Sequence, residues 1–198
     1  MLKVAITGNM GSGKTTIANV FRCLGVNVYF ADLESKKMLF NQDVIASLRL
    51  LFGEGIMIDE YIVDKQKLAQ IVFNDPHALN KLNQLMHPLV ASHFEQWCRW
   101  HSSEPYIIQE AAILFESGWD KMFDKIITVT APSSLLISRA SKRDSIDEKH
   151  VEGRLKNQWP QEKKAQLSDF VIVNDESRLL IPRILEIHNS LLNQSELV

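Results

Sequence analysis

The chain has 198 residues, of which 45% are hydrophobic, which is enough for one α/β core with an insertion but not for two full-sized domains. The formal net charge of −2 argues against a whole-molecule attraction to nucleic acid or to an anionic membrane. The two cysteines are far apart in the sequence, which predicts neither disulfides nor a structural zinc site. We also find no signal-peptide pattern and no apolar stretch of the ~20 residues that span a bilayer, so we predict a cytoplasmic protein without a membrane partner.

The first predicted strand, residues 2–7, leads into a segment that fits the phosphate-binding pattern G-x-x-x-x-G-K-[ST]. The segment consists of Gly8, Asn9, Met10, Gly11, Ser12, Gly13, Lys14 and Thr15, and Thr16 follows in a predicted helix. In this order of strand, loop and helix, backbone N–H groups and the positive end of the helix dipole surround a phosphate. Lys14 then adds a charge for the β- and γ-phosphates, and the Thr15 hydroxyl a ligand for Mg²⁺. We therefore predict a site for a nucleoside triphosphate with Mg²⁺.

Gly25 is predicted to end the first helix, and residues 26–30 read as a second strand that is followed closely by Asp32. Ligands of open parallel sheets bind at the carboxyl ends of the strands. If the first two strands share a sheet, we expect Asp32 to face the same crevice as the phosphate loop. The alternative is that Asp32 caps the next helix.

Residues 33–101 show helical spacing of apolar side chains almost throughout, with a break near residues 53–59. The stretch is too long for one crossover helix, so we expect a helical subdomain that carries a substrate pocket. Pro88 should kink or end the helix in which it lies, because it lacks a backbone donor. His87 beside it is interpreted either as a local cap or as a substrate contact.

Residues 105–110 read as a third strand that ends in Glu110. A carboxylate at a strand end opposite a phosphate loop can hold Mg²⁺ through water, so Glu110 is the predicted acid on the metal side, with Glu116 as the second candidate. The other interpretation of Glu110 is a surface charge. The remaining predicted elements are strands at residues 125–130 and 169–174 and a closing helix at residues 178–192.

Basic residues are concentrated in residues 139–164, although several acids share this segment. Arg139 and Arg143 are four residues apart and therefore lie on one face of a predicted helix. We interpret the two arginines as a phosphate clamp on a mobile lid, the alternative being a solvated helical face.

The phosphate loop alone does not distinguish a kinase, a switch GTPase and a motor ATPase. The sequence has no D-x-x-G segment, and its nearest approach to the guanine-reading pattern N-K-x-D lacks the final acid. These absences argue against a GTPase switch, and a motor or helicase would need a longer chain. A phosphate loop, an inserted domain and a basic lid together favour a small-molecule kinase.

In order, from Val4 to about Asn174, these segments resemble the dephospho-coenzyme A kinase family. The features that match are the phosphate loop, Asp32 as the last acid of a D-A-D element, Phe52-Gly53, Asp64 with Leu68, Phe73, His87-Pro88, Leu114-Phe115-Glu116, Arg139 with Arg143-Asp144, Gln158, and Asp169 with Asn174. The departures are Asn9-Met10 in the loop, Phe30 for the first acid of D-A-D, Lys65 for an arginine and Ala112 for a proline. Because of Phe30, Asp32 stands alone as the acceptor-side acid.

The resemblance implies a P-loop fold of the nucleoside-monophosphate-kinase type, with a parallel five-stranded sheet flanked by helices. The implied division is a nucleotide-binding core (1–32, 102–138 and 165–198), a helical acceptor subdomain (33–101) and a lid (139–164).

The resemblance also implies transfer of the ATP γ-phosphoryl group to the ribose 3′-hydroxyl of dephospho-coenzyme A, the last step of coenzyme A biosynthesis. Lys14, Asp32 and Arg143 are the implied catalytic residues, Arg139 is expected at the adenine, and Asp32 and His87 at the acceptor. Such an enzyme is expected to be a monomer or a small homo-oligomer. The alternatives are another small-molecule kinase, such as one for nucleoside monophosphates, and a nucleotide-dependent switch.

Overall fold

The fold is described from a computed structural model that covers residues 1–196, except for the side chain of Phe73. The strands are β1 (Leu2–Gly8), β2 (Val28–Phe30), β3 (Met57–Asp59), β4 (Ile62–Val63), β5 (Tyr106–Glu110), β6 (Lys125–Thr130) and β7 (Phe170–Val173). The helices are α1 (Lys14–Cys23), α2 (Ala31–Met38), α3 (Gln42–Phe52), α4 (Lys65–Asn74), α5 (Pro76–Trp100), α6 (Ser133–Asp144), α7 (Glu148–Leu155), α8 (Gln161–Gln166) and α9 (Leu180–Ser195).

Five strands form one sheet in the order β2-β5-β1-β6-β7, and every neighbouring pair is parallel. The central strands are short, apolar and almost completely buried, as expected for a parallel sheet that is covered on both faces. On one face, α1 and α9 contribute Ile17, Phe21, Ile184 and Ile187 to the core. The predicted parallel five-stranded sheet with flanking helices is confirmed.

The chain forms two compact units: residues 31–100 are one, and residues 1–30 together with the chain from residue 101 are the other. The sheet belongs to the second of these. The unit of residues 31–100 has its own core, which includes Leu48, Ile56 and Met86. Within residues 1–196, no helix combines the length and the apolar character that a bilayer span requires.

The predicted break in the helical residues 33–101 is more than a turn, because β3 and β4 form an antiparallel hairpin there. The helix around Pro88 does not end there, since α5 runs for 25 residues with Pro88 inside it. Packing of α5 through Met86, Val90 and Phe94 offsets the loss of one backbone hydrogen bond.

Candidate active site

The phosphate loop connects β1, the central strand of the sheet, to the first turn of α1. Gly13 precedes the helix with a φ of 92°, a left-handed conformation that glycine adopts without strain. Gly11 also has a positive φ, 81°. A β-carbon on Gly11 would collide with the Leu136 carbonyl oxygen, and one on Gly13 with the side-chain amide of Asn174. Both positions therefore require glycine for conformation and for space.

Lys14 and Glu110 form a buried pair at the carboxyl end of the sheet. The Lys14 Nζ lies 3.9 Å from Glu110 Oε1 and donates to the Asn9 carbonyl at 3.4 Å. Both side chains are less than a tenth exposed. The interpretation of Glu110 as a surface charge is therefore wrong, and the carboxylate lies beside the cation of the phosphate loop.

Glu116, the second metal candidate, has a different environment. Its Oε1 accepts from Lys164 Nζ at 2.7 Å and from the Trp159 backbone N–H at 2.8 Å. Lys164 is completely buried and also donates to the Ala112 carbonyl. Burial lowers the pKa of Lys164, and the hydrogen bond and charge of Glu116 oppose that shift. Lys164 is therefore one base of residues 139–164 that does not lie on a solvated face.

The segment that Glu116 holds in turn contacts the phosphate loop. Gln158 Oε1 accepts from the Met10 backbone N–H at 2.9 Å, and the Trp159 carbonyl accepts from Asn9 Nδ2 at 3.2 Å. Sequence reasoning identified Gln158 only as part of a family pattern and missed Trp159. A long-range contact of this kind leaves no local signal in the sequence.

Arg139 contacts the strand end that supports the other side of the loop. Its Nη1 donates to the Asn174 carbonyl at 3.1 Å, and its Nη2 to Glu176 at 2.8 Å. The Asn174 side chain donates to the Ser12 carbonyl at 2.8 Å, so Arg139 is linked to the phosphate loop through one residue.

Arg143 lies on the same helix, α6, and is exposed. Its guanidinium forms a two-point contact with Asp144, at 2.7 and 2.9 Å. In this structure the two arginines therefore engage different partners instead of converging on one point.

Asp32 and His87 belong to the unit of residues 31–100. Asp32 is exposed in the first turn of α2, which begins at Ala31, so the interpretation as an N-cap is wrong. His87 is half-buried in the interior of α5, which also rules out a helix-end cap, and burial lowers its pKa. The strands that precede the two predicted site segments, β1 and β2, do lie in one sheet, with β5 between them.

Thr15 and Thr16 are exposed at the start of α1, where their hydroxyls are accessible to a ligand. Within residues 1–196, no group of three or more His, Cys, Asp or Glu side chains could hold a metal by itself.

Residues 2–179 match the family model described as dephospho-CoA kinase. A dephospho-CoA kinase from Bacteroides fragilis is 36% identical over 187 residues, which cover 94% of this chain and 91% of the relative.

Solved structures have the same fold. The crystal structure of TT1252 from Thermus thermophilus gives a TM-score of 0.83 at 26% identity, covering 98% of this chain and 97% of that one. Dephospho-CoA kinase from Campylobacter jejuni gives 0.68 at 23% identity with the same coverage, which is a likeness of fold. The family match over most of the sequence, together with the phosphate loop and its buried Lys14–Glu110 pair, places this chain in the dephospho-coenzyme A kinase family.

Proposed function

We propose that this chain catalyses the reaction of its family, the transfer of the ATP γ-phosphoryl group to the ribose 3′-hydroxyl of dephospho-coenzyme A, which yields coenzyme A and ADP. The observation that carries the proposal is the phosphate loop with Lys14 and Glu110 buried at its base, in a chain that matches the family over residues 2–179.

On the donor side, the residues from Gly8 to Thr16 bind the triphosphate, with backbone N–H groups at the start of α1 directed at the phosphates. Lys14 moves from Glu110 and the Asn9 carbonyl to the β- and γ-phosphates. Because phosphoryl transfer has a loose transition state, charge neutralisation and alignment contribute more than strong base catalysis. Lys14 is therefore a catalytic residue in this proposal.

The chemistry of the available ligands fits Mg²⁺, a hard cation that keeps several waters and binds few protein oxygens. The Thr15 hydroxyl and the Glu110 carboxylate are the residues that would hold it, Glu110 directly or through water. Glu116 is a poorer candidate, because its charge is already paired with the buried Lys164, and the same oxygen also accepts from the Trp159 N–H. Bound with ATP, Mg²⁺ supplies neutralisation of the phosphate charge.

On the acceptor side, Asp32 orients the ribose hydroxyl and accepts its proton, and His87 contacts the same substrate. Support comes from the position of Asp32 two residues beyond β2, with an exposed carboxylate. In this division, residues 33–101 form the acceptor subdomain.

Residues 139–164 form the lid in the same proposal. Arg139 lies over the adenine, and Arg143 exchanges Asp144 for a phosphate group when the lid closes. Lid closure excludes water and so suppresses hydrolysis of ATP. A cytoplasmic location and a monomeric or small homo-oligomeric state stay predictions.

An acceptor panel tests the proposal: ADP release is followed with ATP and, in turn, dephospho-coenzyme A, nucleoside monophosphates and no acceptor. We expect release only with dephospho-coenzyme A, together with formation of coenzyme A. Asp32→Asn should lower turnover by ~10² to 10⁴ and leave ATP binding unchanged, since a proton acceptor is lost. Asp43→Asn, which alters an exposed acid of α3, is the matched control. Near-normal turnover of Asp32→Asn would exclude the assigned role.

A further inference from the structure

The ion pair between Lys164 and Glu116 takes no part in the proposed chemistry. Lys164 is fully buried and Glu116 is 13% exposed, and their charged atoms are 2.7 Å apart. A hydrophobic pair of similar volume would often be as stable, because taking two charges out of water costs free energy. Stability alone is therefore a weak explanation for this pair.

The geometry around Glu116 indicates a second role. Its Oε1 accepts from both Lys164 and the Trp159 N–H, so the lysine fixes the carboxylate that holds the Trp159 backbone. The Trp159 ring stacks on Phe115 with centroids 6.1 Å apart and planes 6° from parallel. Neighbouring residues 115 and 116 thus hold Trp159 by its ring and by its backbone.

The held segment contacts the first half of the phosphate loop at two points. The Gln158 side chain accepts from Met10 N–H, and the Trp159 carbonyl accepts from the Asn9 side chain. Asn9 is buried, and its carbonyl also accepts from Lys14 Nζ. A displacement of Trp159 is therefore transmitted to the residue that contacts the catalytic lysine.

We propose that Glu116 is a positioning residue for ATP, which acts through the Gln158–Trp159 segment to set the conformation of the phosphate loop. This inference rests on the proposed function, because it assumes that the loop binds ATP. It assigns Glu116 a role other than metal binding, and it gives Lys164 the task of keeping the carboxylate in place.

A double-mutant cycle tests whether Glu116 acts on the phosphate loop through the Gln158–Trp159 segment. It compares Glu116→Gln, Gln158→Ala and the double variant with the wild-type protein. Affinity for a non-hydrolysable ATP analogue is measured by calorimetry with Mg²⁺ and without acceptor. Each single variant should bind about 5- to 30-fold more weakly. Glu116→Gln removes the charge that fixes the side chain to Lys164 and strengthens its bond to the Trp159 N–H, and Gln158→Ala removes the acceptor of the Met10 N–H. The double variant should lose less affinity than the product of the two single losses, because both residues act on the loop through one segment.

Glu186→Gln is the charge-matched control, since Glu186 is an exposed acid of α9 paired with Arg183, and it should bind the analogue like wild type. Unchanged affinity in a folded Glu116→Gln protein, or losses that simply multiply in the double variant, would overturn the inference. If Glu116→Gln does not fold, Glu116→Asp takes its place, because it keeps the charge near Lys164 but shortens the reach to the Trp159 N–H.

The wild-type protein shows whether the proposed function itself is wrong, independently of the variants. A wild-type protein that does not bind the analogue would contradict the phosphate-loop assignment itself. A wild-type protein that binds the analogue but forms no coenzyme A would contradict the acceptor assignment, and the cycle would still be measurable.

Discussion

The pair of Lys14 and Glu110 leads to a prediction whose sign depends on the metal. At a separation of 3.9 Å and an effective dielectric constant near 20, their attraction is about 4 kcal/mol. The cost of removing both groups from water offsets most of this energy. When ATP binds without metal, Lys14 must leave Glu110, and the carboxylate then repels the phosphates. Glu110→Gln removes both the attraction that Lys14 must give up and the repulsion between the carboxylate and the phosphates.

Without Mg²⁺, we expect Glu110→Gln to bind ATP about tenfold more tightly than wild type, the equivalent of about 1.4 kcal/mol. With Mg²⁺, the gain should disappear and turnover should fall by ~10² or more, because the substitution removes a charged ligand of the ion. Glu110→Gln should therefore strengthen ATP binding in the absence of Mg²⁺ and lower turnover in its presence.

Calorimetric titration with ATP gives the affinity in EDTA and the affinity in excess Mg²⁺. Steady-state kinetics in excess Mg²⁺ then give the turnover. Glu186→Gln serves again as the control for the loss of one carboxylate and should match wild type throughout. Weaker binding of ATP to Glu110→Gln in EDTA would refute the reasoning, because Glu110 would then support Lys14 rather than compete for it. An undiminished effect of Mg²⁺ would refute the metal assignment.

Three further predictions concern the surroundings of this pair. Gly11→Ala should abolish ATP binding in calorimetry and lower the free energy of unfolding, because its β-carbon would collide with the Leu136 carbonyl; normal ATP affinity would contradict the loop geometry. Arg139→Ala should raise the KM for ATP about 5- to 30-fold in steady-state kinetics, through loss of its bond to Asn174, and an unchanged KM would contradict this. Burial lowers the pKa of Lys164 in the folded protein below the ordinary 10.5 that it has in the unfolded chain. At pH values between these two pKa values only the unfolded chain keeps the proton, so the free energy of unfolding should rise with pH in that range. Urea titrations at several pH values should show a smaller rise for Lys164→Met, and equal rises would contradict the assignment.

Elements with a strong local pattern could be predicted from the sequence. The strand predicted at residues 125–130 is β6 itself, and the one at residues 2–7 is one residue shorter than β1. Both are continuous apolar runs at the centre of the sheet, where burial on both faces leaves little ambiguity. The second strand was predicted two residues too long, because Val26 is buried in the core without belonging to β2.

Features that depend on distant parts of the chain could not be predicted. Lys164 lies in a basic segment that reads as solvent-exposed, and its burial depends on Glu116 and Ala112. Strand β6 and helices α6 and α7 separate those two residues from Lys164 in the chain. The β3–β4 hairpin has only three and two residues in its strands, too few for a period of two to stand out against helical spacing.

The difference between local and distant information also applies to the phosphate loop. The pattern from Gly8 to Thr15 specifies a segment that can surround a phosphate, but it does not specify what holds that segment in place. In this protein the first half is held by Gln158 and Trp159 and the second half by Asn174, all from the far end of the chain. Since Gln158 and Trp159 lie within the segment assigned to the lid, variants that leave the loop sequence intact can still lose ATP affinity.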